Sequence, residues 1–177
     1  GIQEDEGLQT GKVDYSNLDI VSDITNIPLD DKSLDAILCV EVIEHIPNPL
    51  DAFHEFNRLL KEGGVIILTA PFNSLTHYAP YHYSTGFSKY YYERHLPDFN
   101  FEIIEITPNG NFFEYLAQEV RRINEVAKKY NKSKFIGFYF LIGKFLILKS
   151  LNKFSKNDNN SSELLCFGFN VIARKLK

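Results

Sequence analysis

The sequence has no methionine, no tryptophan and only two cysteines. Cys39 and Cys166 sit in separate apolar runs with no second cysteine at metal-ligand spacing. That excludes a disulfide framework and a cysteine-based metal centre, and reads as two buried thiols in a reducing, cytoplasmic compartment. Methionine is missing even from the first position, Gly1, so the start reads as a truncation, and no signal peptide opens the chain. A basic surplus is also lacking: 19 Lys and Arg against 23 Asp and Glu leave a net charge of −4. Broad tracking of a phosphate backbone is therefore excluded, and no nucleic-acid partner is expected.

What is present suits one packed domain over 1–177, with 44% hydrophobic residues. The aromatics are all Phe and Tyr, and many fall between Phe72 and Tyr139, where they build a large core or an apolar cavity. Residues 18–21 form a short apolar stretch read as a strand. After an acidic turn, 36–40 is a continuous apolar run suited to a strand buried on both faces. Pro47 and Pro49 mark a break before a helix that carries Ala52, Phe53, Phe56, Leu59 and Leu60 on one face and Glu55, Arg58 and Lys61 on the other. Gly63-Gly64 is expected to end that helix, and 65–69 is a second buried strand before Pro71. Strand, helix and strand with short links make a βαβ unit and a parallel sheet.

Beyond Pro71 come an aromatic loop over 72–87, a short helix over 88–96 and a strand over 101–106. Asn111 with Glu114 forms a capping pair. It opens an amphipathic helix carrying Phe112, Leu116, Val120, Ile123 and Ala127. Residues 135–151 are strongly apolar, 152–162 are a polar loop, and 164–173 are a last strand.

In an open parallel sheet, ligands bind at the carboxyl ends of the strands. Those ends carry Ser22-Asp23, then the segment from Glu41 to His45, then the segment from Ala70 to Asn73. Two of the three are acidic, and none offers a glycine-rich cradle or a basic residue, so the ligand there is cationic or rich in donors and is not a polyphosphate.

The run SDITNIPLDDKSLDAILCVEVIEHIPNPLDAFHEFNRLLKEGGVIILTAPF resembles the middle of the methyltransferase-type-11 group of class I S-adenosylmethionine-dependent methyltransferases. An Asp, an Ile-Pro, an acidic turn, a Leu-Asp, a Glu-rich turn ending in His, and a Leu-Lys-x-Gly-Gly occur in the family's order. The resemblance implies a Rossmann-like α/β fold, a three-layer sandwich. Its sheet is mostly parallel, with an antiparallel C-terminal strand; where the family usually has a short hairpin before that strand, this chain carries a helical insertion over 111–162. The implied cofactor is S-adenosylmethionine. Asp23 would accept from the adenine amino group, Ile24 would present its backbone amide or pack on the ring, and Cys39, Val40 and Glu41 would line the methionine portion. The family's first strand with its Gly-x-Gly turn is absent, as is a clear acidic residue ending the second strand; Gln3 or Glu4 could stand at that ribose position. Through FNFEIIEITPNGNFFEYLAQEV the chain resembles bacterial family members, which implies an association with surface-glycan synthesis.

Methyl transfer to a hydroxyl needs alignment and a base. His45 is the first candidate base and His82 the second. If the turn after Val40 enters a helix, Glu41, Glu44 and His45 share a face and could hold a divalent cation. The EVIEH string also resembles the metal-ligand segment of small-RNA 3′-end methyltransferases and ubiquinone-pathway O-methyltransferases, and His77 or His82 could add a ligand. The other reading is that these groups line the pocket. Tyr78, Tyr81, Tyr83 and Phe87 are candidates for an aromatic wall around an acceptor, expected to be a small molecule, a glycan precursor or a lipid-linked compound. Three readings of 135–151 stay open: a buried helix packed on the preceding one, a helix lying on a membrane surface through its lysines, and a homodimer contact. A non-catalytic remnant of the fold and a metal-dependent RNA end-methyltransferase are the rival functions.

Overall fold

A computed structural model describes residues 16–132 and 137–177. Gln3 and Glu4, and the start of the apolar run at Phe135, lie outside the described residues. The chain divides into two compact units: residues up to Thr107 with Gly168–Lys177, and Pro108–Phe167.

The sheet comprises β1 (Leu34–Val40), β2 (Leu60–Pro71), β3 (Phe101–Asn109) and β4 (Gly168–Lys175), in the order β1-β2-β4-β3. β1 and β2 are parallel, in register from Ala36↔Val65 to Val40↔Thr69. β2 and β4 are antiparallel, from Val65↔Arg174 to Pro71↔Gly168. The Leu176 N–H donates to the Asn100 carbonyl at 2.9 Å, joining the end of β4 to the start of β3. β4 therefore runs against the other three strands, as the expected antiparallel C-terminal strand.

Helix α1 (Pro49–Leu59) connects β1 to β2, with proline in its first turn, where no helical donor is lost. Ala52, Phe53, Phe56 and Leu59 are buried. The helix stops at Leu59, short of the expected glycine cap, and Leu60 is already extended. The last carbonyls of a helix lack intrahelical donors. Here Lys175 supplies them, its Nζ donating to the carbonyls of Asn57 (2.6 Å) and Leu60 (2.9 Å). Gly63 and Gly64 instead belong to β2. Its register slips between Leu34↔Leu60 and Ala36↔Val65, and Gly63 takes φ +78° to let the extra residues loop out.

Two further expectations change. Glu55, placed by periodicity on the wet face of α1, is buried, accepting from the Ile27 N–H (2.7 Å) and from Arg58 Nε (2.9 Å) and Nη2 (2.7 Å). Arg58 also donates to the carbonyls of Ile27 (2.9 Å) and Leu29 (2.8 Å), so this pair clamps 27–29 onto α1. Residues 18–21 form no strand, and Leu18, Ile20 and Val21 are exposed. β1 is likewise not buried on both faces: Leu38 is 69% exposed and its register partner Ile67 40%. No strand lies beyond β1 among the described residues, which leaves one face of this edge uncovered.

Helices α2 (Lys89–His95), α3 (Phe112–Tyr130) and α4 (Phe138–Lys156) complete the chain. The Glu114 N–H donates to Asn111 Oδ1 at 3.0 Å, the expected cap of α3. Within the second unit α3 and α4 pair. Ser155 Oγ bridges Asn111 (3.1 Å) and Glu114 (3.1 Å), and Lys144 Nζ donates to the Arg121 carbonyl at 2.9 Å. Anchoring at Ser155 carries α4 through Lys156, so 152–156 is helix rather than loop. Only Leu151 of α4 is buried, so the helix pair forms without the expected burial. The last strand starts at Gly168, later than residue 164.

Replacing Lys175 by Met keeps its apolar stem and removes the ammonium that caps α1. Urea unfolding should show a loss of about 1–3 kcal/mol; an unchanged midpoint would show that the cap contributes nothing.

Candidate functional site

β1 and β2 bring their carboxyl ends side by side, and the Glu41 N–H donates to the Thr69 carbonyl at 2.9 Å. Glu41 turns the chain sharply with φ +52°. Its carboxylate accepts from Thr69 Oγ1 at 2.9 Å, which ties it to β2. A single 3-10 turn, Ile43–His45, follows in place of a longer helix. The loop after β2 folds back over this turn, and the N–H groups of Tyr83 and Ser84 both donate to the Glu44 carbonyl at 3.1 Å.

That fold-back gathers four side chains. Glu44 is fully buried, and neither carboxylate oxygen has a hydrogen-bond partner. Its Oε1 lies 3.6 Å from His45 Nε2 and 4.0 Å from His77 Nε2. His45 Nδ1 donates to the Tyr81 carbonyl, and His77 Nδ1 donates to the Leu75 carbonyl at 2.9 Å. A carbonyl only accepts, so both rings carry their proton on Nδ1 and, when neutral, keep the Nε2 lone pair free. His82 completes the group with both ring nitrogens buried and unpartnered. Ring centroids are 4.7 Å apart for His45–His77 and 4.9 Å for His77–His82.

The electrostatics follow from burial. Desolvation pushes the Glu44 carboxyl up to about 7, with Glu41 adding to the shift. Burial first, and the Glu44 charge second, push the Cys39 thiol up to about 12. Burial, then the neighbouring imidazoles, lower His82. The Tyr92 phenol, fully buried, is raised by burial and by the charge of Glu44.

The expected site residues therefore separate. Glu44 and His45 meet, and His77 and His82 join them, whereas Glu41 is held by Thr69. Cys39 is buried, while Val40 and Glu41 are exposed at the end of β1. Asp23 is exposed, and its Oδ1 accepts from the Thr25 N–H (2.8 Å) and hydroxyl (2.7 Å), bonds that lower its pKa. Ile24 is half-buried. Tyr78, Tyr81 and Tyr83 are exposed beside the histidines, but Phe87 is buried against Tyr91 at 4.6 Å. Sequence reasoning missed Thr69 as the group that holds Glu41, and the two carbonyls that orient the imidazoles. No side-chain pattern announces a backbone acceptor.

Residues 4–68 match a family model described as a methyltransferase domain. A ubiquinone biosynthesis O-methyltransferase of Dechloromonas aromatica is 36% identical over 63 residues, 35% of this chain and 26% of that protein. One from Alkalilimnicola ehrlichii is 42% identical over 40 residues, 23% of this chain and 16% of that protein. The matched stretch thus spans about a quarter or less of these relatives. Among solved structures, a SAM-dependent methyltransferase from Archaeoglobus fulgidus superposes with a TM-score of 0.51 at 17% identity, over 88% of this chain and 66% of that one. A protein assigned as a sarcosine dimethylglycine methyltransferase from Galdieria sulphuraria gives 0.52 at 17% identity, over 88% and 58%. At that identity the likeness establishes the fold alone.

Proposed function

We propose that this chain, which belongs to the class I S-adenosylmethionine-dependent methyltransferases, serves methyl transfer to a hydroxyl oxygen of a small-molecule, sugar or lipid-linked acceptor. The observation that carries the reading is the polar cluster at the joined carboxyl ends of β1 and β2, where an open α/β sheet places its ligands. The O-methyltransferase names of the two relatives favour oxygen as the acceptor atom.

The donor set suits the cofactor. Asp23 is an exposed carboxylate held ionised by Thr25, a fit acceptor for an exocyclic amino group. Val40 and Glu41 present an apolar wall and a negative charge suited to a sulfonium, while Cys39 contributes only to the core. Bound S-adenosylmethionine supplies an electrophilic methyl group. The chain's own part is to hold the acceptor beside it and to take the hydroxyl proton, for which His45 Nε2 is the oriented lone pair. His82, half-buried and with its basicity lowered by burial and the neighbouring imidazoles, is the second.

The full natural protein should bind S-adenosylhomocysteine in a calorimetric titration, and Asp23→Ala should weaken binding about tenfold, roughly 1–2 kcal/mol. Absence of heat at any cofactor concentration would contradict the reading.

We further infer that the second unit meets an anionic lipid surface, which favours a lipid-linked acceptor. Residues 108–167 carry ten Lys and Arg against five Asp and Glu, a net of +5 in a chain of −4, leaving −9 on the remainder. On the same unit α4 exposes Phe138, Tyr139 (89%), Leu141, Ile142, Phe145 (66%), Leu146 and Ile147. Among the described residues no helix is long and apolar enough to cross a membrane. Apolar side chains edged by lysines suit a helix lying in an interface, each basic residue adding about 1 kcal/mol near anionic lipid. A second copy would bring two faces of +5 together, so lipid is the favoured occupant.

Vesicles of phosphatidylglycerol and phosphatidylcholine should co-sediment the protein at least tenfold better than phosphatidylcholine alone. Phe145→Glu with Leu146→Glu should abolish that gain. Equal binding to both vesicles, or a stable dimer whose interface the double variant breaks, would overturn it.

A further inference from the structure

We propose that the acceptor is an amino alcohol, its protonated primary amine seated on Glu44 beside His45 and His77 and its hydroxyl on the adjacent carbon. The inference deepens the methyl-transfer reading and rests on it for the fate of the hydroxyl. Amine binding is measured without cofactor, so the two fail separately. No lysine or arginine pairs with Glu44 among the described residues, and both carboxylate oxygens lack a hydrogen-bond partner although the side chain is fully buried. A carboxylate so placed is costly to keep unless something positive and rich in donors compensates it.

The groups nearest this carboxylate are acceptors. His45 and His77 spend their Nδ1 protons on the Tyr81 and Leu75 carbonyls. Their Nε2 atoms, 3.6 Å and 4.0 Å from Glu44 Oε1, therefore offer lone pairs when neutral, and neither distance is a hydrogen bond. Glu41 adds a charge of the same sign as Glu44. Lone pairs and negative charge without a donor select a cation that only donates. A primary ammonium carries three N–H groups and no lone pair, whereas a quaternary ammonium has no N–H to give. The spacing fits as well. Acceptors that share one ammonium at about 2.8 Å each stand about 4.5 Å apart. Ring nitrogens of His45, His77 and His82 lie within 4.8 Å of one another. The two gaps to Glu44 need to widen by only about half an ångström to one ångström to reach that spacing.

The tyrosines and the third imidazole supply the rest. Tyr78, Tyr81 and Tyr83 are exposed, and the Tyr78 ring lies 5.7 Å from that of His45 and 5.8 Å from that of His77. Aromatic faces attract an ammonium group. The side chains of His45 and His77 are 18% and 17% exposed, which leaves an approach from the loop side. His82 packs against the His77 ring at 4.9 Å, and both its ring nitrogens are buried without a partner. A neutral imidazole has one N–H and one lone pair, the complement of a hydroxyl. An amine and a hydroxyl on adjacent carbons thus meet their partners together. Glu44 and His77 hold the ammonium, His82 meets the hydroxyl, and His45 Nε2 keeps its lone pair for the hydroxyl proton.

The test is an NMR titration with 2-aminoethanol in the presence of a chelator, at about pH 8, where imidazoles are neutral and a primary amine is charged. It is followed at the Cε1–H signals of the five histidines, of which His54 and His95 are internal controls. The expected result is a saturable shift at His45, His77 and His82, with a dissociation constant of about 1–10 mM for so small a ligand, while His54 and His95 stay in place. Ethylene glycol, which has no charge, and choline, which has no N–H on its nitrogen, should bind at least tenfold more weakly. Glu44→Gln should lose at least tenfold in affinity for 2-aminoethanol. No saturable shift with 2-aminoethanol, equal binding of either control, or unchanged affinity in Glu44→Gln would overturn the proposal. Should Glu44→Gln fail to fold, N-acetyl-2-aminoethanol decides on the parent protein. It should bind at least tenfold more weakly than the free amine, and binding as tight as the amine's would overturn the proposal.

Discussion

Glu44 sits fully buried at the end of β1 with two oxygens that no donor reaches. Transferring an ionised carboxylate out of water costs several kcal/mol unless a charge or donors replace the solvent. Much of the surrounding architecture makes sense as a response to that cost. The carboxyl is driven towards its protonated form. His45 from the turn after β1 and His77 from the loop after β2 approach it at 3.6 Å and 4.0 Å, and His82 packs against the His77 ring at 4.9 Å. The same residue's carbonyl, at 3.1 Å from two N–H groups, pins that loop down. The main chain of this one residue therefore holds the loop over the turn.

The scaffold beneath explains why the cluster forms there. Parallel pairing of β1 and β2 brings Glu41 and Thr69 into hydrogen-bond contact, so the chain leaving each strand enters the same space. α1 is fastened at its C-terminus by Lys175 from β4, and through Glu55 and Arg58 to 27–29, which lead back towards Asp23. The cofactor-side candidates and the histidine cluster thus rest on one α1-centred frame. The second unit carries the opposite charge balance and its own apolar surface.

Much of this was legible in the chain. The β1-α1-β2 unit, the Asn111 cap of α3 and the antiparallel direction of β4 follow from apolar periodicity, turn residues and an ordered family pattern. Other features were not, and for physical reasons. Glu55 lies at a position that periodicity assigns to water, and only its partners at Arg58 and Ile27 make it buried. Gly63-Gly64 suits a helix cap and a strand bulge equally well, and the choice fell to Lys175, 115 residues from the Leu60 carbonyl it caps. Residues 18–21 have strand composition, but a strand needs a neighbour. At the site, Glu44 and His45 were readable from the EVIEH string. The tie of Glu41 to β2 was not, since it depends on a positive φ and a threonine on the adjacent strand. Nor could spacing alone choose among His77, His82 and pocket lining, because the loop's path over the turn is set by backbone contacts to Glu44.

The central claim, that the joined carboxyl ends of β1 and β2 hold a methyl donor beside His45, is tested most directly by a crystal structure of the protein with S-adenosylhomocysteine. The account predicts the adenine amino group within hydrogen-bond distance of the Asp23 carboxylate and the sulfur beside Val40 and Glu41. Ligand density away from these strand ends, or none at saturating ligand, would contradict it.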